Sequence, residues 1–366
     1  MTSRIRSDSS DAAFDRIIVI VTRQIGDVLL TTPLIHAAKT RWPEARIDVL
    51  GFAGTLGMLR GNPDVGQLIE VRAGSGWWES LPLIWRLWRR YDLALIAQYT
   101  DRAHLYGWVA ARVRAGQIPA GRQSWWKRVL LRHAVELGAQ HSHVVLEKLK
   151  LLEPWVGTPA DVVVHAPPAA QLPDPLLAVL RPRYVVIQVP SLVRYKQWPP
   201  EHYAELTRQL AMRGHQVVLT GGPSAQERAL VADVVRAADT PNVVDAAGLL
   251  DLNQMVSLLA GAALYIGPDT SITHLAAACG VPVLALYGSI DPQLWGAWPK
   301  DWSATQPYER RALRQQRANI VLLQGTPPCV PCNRAGCDNH ADSRSECLQT
   351  MLPERVLAEA LSVLRA

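Results

Sequence analysis

The sequence predicts an α/β protein made of two parallel, doubly wound units, and three observations predict it. Apolar runs of strand length alternate with stretches of helical periodicity along most of the chain, the pattern of a parallel sheet with helices on both faces. Residues 158–183, TPADVVVHAPPAAQLPDPLLAVLRPR, are dense in Pro and interrupt the alternation, which then starts afresh; such a stretch reads as a linker region. A length of 366 residues exceeds what one core usually holds, so two cores of roughly 150 residues each are expected. The expected division is a first domain over 1–170, a second over 171–345, and a closing helix in 346–366 that packs back on the first.

In the first unit IIVIV marks a strand over 16–21, with a helix over 27–41, strands over 46–52 and 67–71, a helix over 79–90, a strand over 93–97, and helices up to residue 152. The second unit begins with YVVIQV over 184–189. A helix in 200–213, a strand in 216–222, a helix in 224–238 and a strand in 242–248 follow. A helix in 251–260, a strand in 263–269, a helix in 271–279 and a strand in 281–288 complete the alternation. After a long irregular stretch, PERVLAEALSVL over 353–364 has the spacing of an amphipathic helix.

Composition excludes several classes. With 49% hydrophobic and 19% charged residues the chain is globular rather than disordered. It has no run of eighteen apolar residues and no apolar signal in its polar first fifteen positions, so the expected location is the cytoplasm. Nucleic acid is not an expected partner, since no zinc-finger, RNP or helix-turn-helix pattern occurs. The net charge of +6 is unevenly placed: WWESLPLIWRLWRRYD (77–92) and GRQSWWKRVLLRH (121–133) interleave Trp with Arg and Lys. Helical spacing favours one core-facing stripe and one solvated face there; contact with anionic lipid is the second reading.

The residues that suggest chemistry stand where strands give way to helices. Gly26 suits a tight turn after the first strand, and Asp27 opens the next helix, either as a helix cap or as a carboxylate aimed at ligand. IGPDTSITHLAAACG (266–280) crowds Asp269, Thr270, Ser271 and His274 at a strand end before an apolar helix, where backbone N–H groups and a positive helix end suit a diphosphate. Ser191, Arg194 and Lys196 follow the first strand of the second unit, where a lysine could neutralise phosphate. LTGGPSAQER (219–228) offers two glycines for close approach and Glu227 for sugar hydroxyls. No P-loop and no Gly-x-Gly-x-x-Gly accompanies these loops. Cys329, Cys332, Cys337 and Cys347 make C-x2-C-x4-C-x9-C, either a structural zinc or iron–sulfur site or four reduced thiols.

In this order GDVLLTTPLIHAAKTRWPEARIDVL, YKQWPPEHYAEL, LTGGPSAQER and YIGPDTSITHLAAACGVPVLALYGSIDP resemble the heptosyltransferases of glycosyltransferase family 9, over nearly the whole chain. The resemblance implies a GT-B fold, two Rossmann-like domains facing a central cleft with the second binding the nucleotide-sugar. It implies ADP-L-glycero-D-manno-heptose as donor, the inner core of lipopolysaccharide as acceptor, inversion at the anomeric centre, no metal in catalysis, and peripheral contact with the cytoplasmic face of the inner membrane. By the same resemblance Asp27 is the general base and Gly26 lets donor and acceptor approach. Lys196 matches the lysine on the leaving diphosphate; Ser191, Thr270, Ser271 and His274 match the donor loops; Asp269 and Glu227 match acidic donor contacts. Ser271 departs from the pattern, since many relatives carry Gly there. Two other classes fit the same architecture: a nucleotide-sugar epimerase, and a nucleotide-sugar binding protein without turnover.

Overall fold

A strand buried on both faces must be apolar at every position rather than at alternate ones, and the first strand, β1 (Arg16–Val21), meets that need with IIVIV wholly buried. The computed structural model describes residues 12–74, 81–121, 124–138, 142–157 and 162–365. The chain forms two units, one running to His165 and taking in Ser303–Thr305, the other made of the rest.

In the first unit β1 is followed by α1 (Ile25–Leu29), α2 (Thr32–Arg41), β2 (Arg46–Phe52), β3 (Gln67–Val71) and α3 (Leu81–Leu87). Then come β4 (Tyr91–Ile96), α4 (Asp101–Ala110), β5 (Ala111–Pro119), α5 (Trp125–Leu130), β6 (His133–Leu137) and α6 (Val144–Leu149). The sheet is parallel, in the order β3-β2-β1-β4-β5-β6. The chain steps outward from β1 to β3 and then returns to β4, so the order reverses between β1 and β4. Right-handed crossovers then require α3, α4 and α5 on one face, and Leu83, Leu87, Tyr106, Val109 and Leu131 do share one core cluster with Ile18, Ile20 and Ile96.

The second unit holds α7 (Asp174–Leu177), β7 (Tyr184–Gln188), α8 (Pro200–Met212), β8 (Val217–Thr220), α9 (Ala225–Ala238), β9 (Val243–Asp245) and α10 (Leu252–Ala260). It continues with β10 (Ala262–Pro268), α11 (Ser271–Cys279), β11 (Val283–Tyr287), α12 (Pro292–Trp295), β12 (Arg314–Arg317), β13 (Ile320–Gln324), α13 (Glu346–Gln349) and α14 (Pro353–Arg365). Its order is β12-β13-β11-β10-β7-β8-β9, with only β12 antiparallel. Here the reversal lies between β7 and β10. Local signals agree with the elements: Pro199 and Pro200 start α8, Asp251 and Gln254 form a capping box on α10, and Gly280 ends α11 at φ +79°.

Three expectations are corrected. Helices were expected through residue 152, but β5 and β6 complete the first sheet. Strand β5, ARVRAGQIP, hides its nature behind two arginines; Arg114 is tolerated because its guanidinium donates to Ala111 O at 2.8 Å and Leu130 O at 2.6 Å. Strands β12 and β13 likewise occupy the stretch expected to be irregular. The closing helix, expected on the first domain, seals the second: Val356 and Ala360 of α14 are fully buried among Leu206, Leu210 and Leu264. Its approach is anchored by Trp198, whose indole N–H donates to Met351 O at 2.8 Å. Positions 79 and 80 of the expected helix over 79–90, and 158–161 of the Pro-dense linker, lie outside the described residues.

Candidate functional site

In an open parallel sheet the ligand crevice forms at the carboxyl ends of the strands where the strand order reverses, and each unit gathers its suspect residues there. In the first unit the segment after β1 carries Thr22, Arg23 and Asp27, and the one after β4 carries Gln98 and Tyr99. Thr22 donates to Gln98 Oε1 at 2.8 Å, tying the two strand ends together. Asp27 is the third residue of α1, whose cap is Gln24, so its carboxylate caps nothing. It pairs instead with Arg23 at 3.5 Å and is 13% exposed. Gly26 is the second residue of α1 and is absent from the glycines of positive φ, so the tight turn expected of it is a helical turn.

The residue that local sequence did not reveal is Lys148 of α6. It is fully buried, and its ammonium donates to Asp27 O at 2.6 Å and Thr31 Oγ1 at 2.8 Å. Burial pulls its pKa down to about 8, with Arg23 acting in the same sense and Asp27 opposing. Thr31 also donates to Asp27 O, at 2.7 Å. Two donors on one carbonyl fix the backbone that carries the carboxylate.

In the second unit the carboxyl ends of β7 and β10 bring Lys196 and Asp269 together. Lys196 lies in the 3-10 turn Arg194–Lys196, and its ammonium meets Asp269 Oδ2 at 2.6 Å. His274 Nε2 lies 3.8 Å from the other carboxylate oxygen. Burial pushes the Asp269 carboxyl upward, but Lys196 and His274 outweigh it and hold it at about 2. The pair stands at the head of α11, where Thr270 caps the helix by accepting from Thr273 N–H at 3.4 Å. Thr273 is held in turn by Tyr265, hydroxyl to hydroxyl at 2.9 Å. A Cβ on Gly267 would collide with that tyrosine hydroxyl, which accounts for the glycine in IGPD.

Ser191 is buried in the same β7 loop, and Ser271 begins α11. Glu227 is carried by α9 after β8, the strand beside β7. A Cβ on Gly222 would meet only the flexible end of the Glu227 side chain, which places the acid close against the LTGG turn. A lysine beside the positive end of a nine-residue helix is chemically able to hold an anion without a metal ion.

The four cysteines of 329–347 are free. Cys347 is buried, and burial followed by the nearby Cys332, Cys337 and Cys329 pushes its thiol up to about 12. Among the described residues no three His, Cys, Asp or Glu side chains are placed to hold a metal ion.

Comparison with known proteins adds the following. The model of the family described as glycosyltransferase family 9 (heptosyltransferase) matches residues 82–323. The chain is 32% identical to lipopolysaccharide heptosyltransferase 3 of Escherichia coli over 324 residues, 82% of this chain and 93% of that protein. Among solved structures it resembles a family 9 glycosyl transferase of Veillonella parvula (TM-score 0.75, 19% identity, 98% and 99% of the two chains). It also resembles the E. coli ADP-heptose lps heptosyltransferase II (TM-score 0.71, 21% identity, 96% and 98% of the two chains).

Proposed function

The chain belongs to glycosyltransferase family 9 and has its GT-B fold, and from that premise we propose that it transfers heptose from ADP-L-glycero-D-manno-heptose to the inner core of lipopolysaccharide, inverting the anomeric carbon. The observation that carries the reading is the Lys196–Asp269 pair at the head of α11, 2.6 Å apart. A leaving ADP gains negative charge as its bond to the sugar breaks. A preset ammonium and the positive end of a helix stabilise that charge, each such donor being worth about 3–4 kcal/mol in a transition state.

The bonds exchange as follows. The acceptor oxygen forms a bond to heptose C1 on the face opposite the diphosphate, and the C1–O bond to ADP breaks with its electron pair leaving on the phosphate. Asp27 accepts the hydroxyl proton. Thr270, Ser271 and His274 contact the phosphates, Ser191, Glu227 and Asp269 contact the remainder of the donor, and Gly26 leaves room for sugar and acceptor together. No resident metal enters these steps, and the cysteine segment has no part in them. The acceptor is built on a lipid, so the reading includes peripheral contact with the cytoplasmic face of the inner membrane. Among the described residues no helix is long and apolar enough to cross a membrane.

The test is incubation of the purified chain with ADP-heptose and a panel of truncated core acceptors, with and without a chelator, and products read by mass. One heptose added to an acceptor, unaffected by the chelator, is expected. Isomerised sugar-nucleotide without an acceptor would instead mark an epimerase, and binding of ADP-heptose without turnover would mark a binding protein.

A further inference from the structure

The tryptophan-rich helices of the first unit do not bury their aromatic residues as helical spacing suggested. On α3 the core side is Leu83, Ile84 and Leu87, while Trp85 stands 76% exposed and Trp88, just past the helix, 50%. Leu105 and Trp108 share the outer stripe of α4, both exposed, and the Trp108 ring meets Trp88 edge-on with centroids 6.3 Å apart. Trp125 and Val129, one turn apart on α5, are 68% and 75% exposed. Lys127 of α5 pairs with Asp101 at the start of α4 at 2.7 Å, which joins the two helices. Crossover handedness sets α3, α4 and α5 on one face of the sheet, so these six side chains belong to a single layer. Among the described residues, no exposed Trp occurs anywhere else.

The stretch of sequence that carries this layer is basic. Residues 81–132 contain ten Lys or Arg against two Asp and no Glu, a surplus of eight in a chain whose whole surplus is six. Arg86, Arg89 and Arg90 are exposed, as is Arg128, which pairs with Glu136, and the Arg89 guanidinium lies 5.9 Å from the Trp88 ring centroid. A contiguous set of exposed indoles is unfavourable in water alone. They suit a surface with an apolar interior and a negative rim. A second copy of this chain would set the same positive surplus against itself, which like-charge repulsion opposes.

We infer that the outer surface of α3, α4 and α5 is a docking face for an anionic phospholipid bilayer. It takes up the membrane contact of the reading above and gives it a surface, but it is carried by exposure and charge and does not depend on the identity of donor or acceptor. Trp77, Trp78 and Arg122 belong to the same sequence stretches and lie outside the described residues.

The experiment is co-sedimentation of the full chain with vesicles of phosphatidylcholine alone and of phosphatidylcholine with phosphatidylglycerol. Anionic vesicles should bind at least about tenfold more tightly than neutral ones, and salt at about 0.5 M should release the protein. The double substitutions Trp85→Ser with Trp108→Ser, and Arg86→Glu with Arg90→Glu, should each weaken binding about tenfold or more. Leu313→Ser, an exposed leucine of the second unit, should not. Transfer to a soluble, lipid-free acceptor should be the same in all of these, which separates this test from that of the catalytic reading. A parent chain that fails to sediment, that binds neutral vesicles equally, or whose variants bind as it does overturns the proposal. So does self-association that the Trp substitutions abolish, which would make the face a protein interface.

Discussion

Replacing Lys196 by Ala should damage the second unit's stability as well as its chemistry, and the two effects can be separated. The Asp269 carboxyl, 7% exposed, is held at about 2 against an ordinary 3.8, a difference equivalent to about 2 kcal/mol of stability at neutral pH. Without the ammonium, burial, already the largest single influence, is opposed by His274 alone and the carboxylate is stranded. Breaking a fully buried pair costs about 3–5 kcal/mol; Lys196 keeps 25% exposure, so about 2–3 kcal/mol is expected. In the parent this contribution is present above pH 3.8 and is lost as pH falls toward 2. In Lys196→Ala the carboxyl titrates above its ordinary value, so the deficit is greatest at neutral pH and shrinks as acid protonates Asp269. Lys196→Ala with Asp269→Asn leaves no stranded charge and should recover most of the stability, yet transfer should stay down about 10²–10³-fold in both, the cost of one lost electrostatic donor. Urea unfolding followed by tryptophan fluorescence, across pH, reads the first effect and product mass the second. A deficit under about 0.5 kcal/mol, the worth of an exposed pair, or a double variant no more stable than the single one, would refute the argument.

Asp27→Asn should cost about 1 kcal/mol of stability, because the carboxylate caps nothing and its partner Arg23 is one-third exposed, while its charge also supports the buried Lys148 ammonium. It should lower kcat about 10²–10⁴-fold with donor affinity kept; calorimetry and product mass on the same sample decide, and transfer within about threefold of the parent removes Asp27 as the base. Lys148→Met removes a buried charge of similar shape and should be as stable as the parent or more so at pH 7, while kcat falls because Asp27 O loses a donor at 2.6 Å. The pH dependence runs in the same direction as for Asp269, since folding lowers both pKa values, but at pH 7 the Lys148 shift costs stability where the Asp269 shift supplies it. Its folded pKa of about 8 lies below the usual 10.5, so the parent gains stability relative to the variant as pH rises through that interval. A flat difference between pH 7 and pH 10, or full activity in the variant, would count against a charged, positioning Lys148.

The sequence by itself determined that there are two parallel, doubly wound units, because a strand buried on both faces admits only runs such as IIVIV and VVIQ, and those runs recur between helices. It also placed Asp27, Lys196 and Asp269 in the loops at strand ends, and the ordered motifs around them carry the family resemblance. Only the tertiary structure decided the partners. That Lys196 meets Asp269 follows from β7 and β10 being neighbours at the reversal of strand order, a fact about the sheet that no local window contains. Lys148 reads in sequence as one more charge on an amphipathic helix, yet 121 residues of chain separate it from the Asp27 carbonyl it holds. Strand β5 was hidden by its arginines, which the fold accommodates in two ways: Arg112 is exposed, and Arg114 donates to Ala111 O in its own strand and to Leu130 O at the end of α5. The outward turn of Trp85, Trp88 and Trp125 could not be read from periodicity, since spacing places residues on one stripe of a helix, and it is the crossover that decides which stripe faces the core.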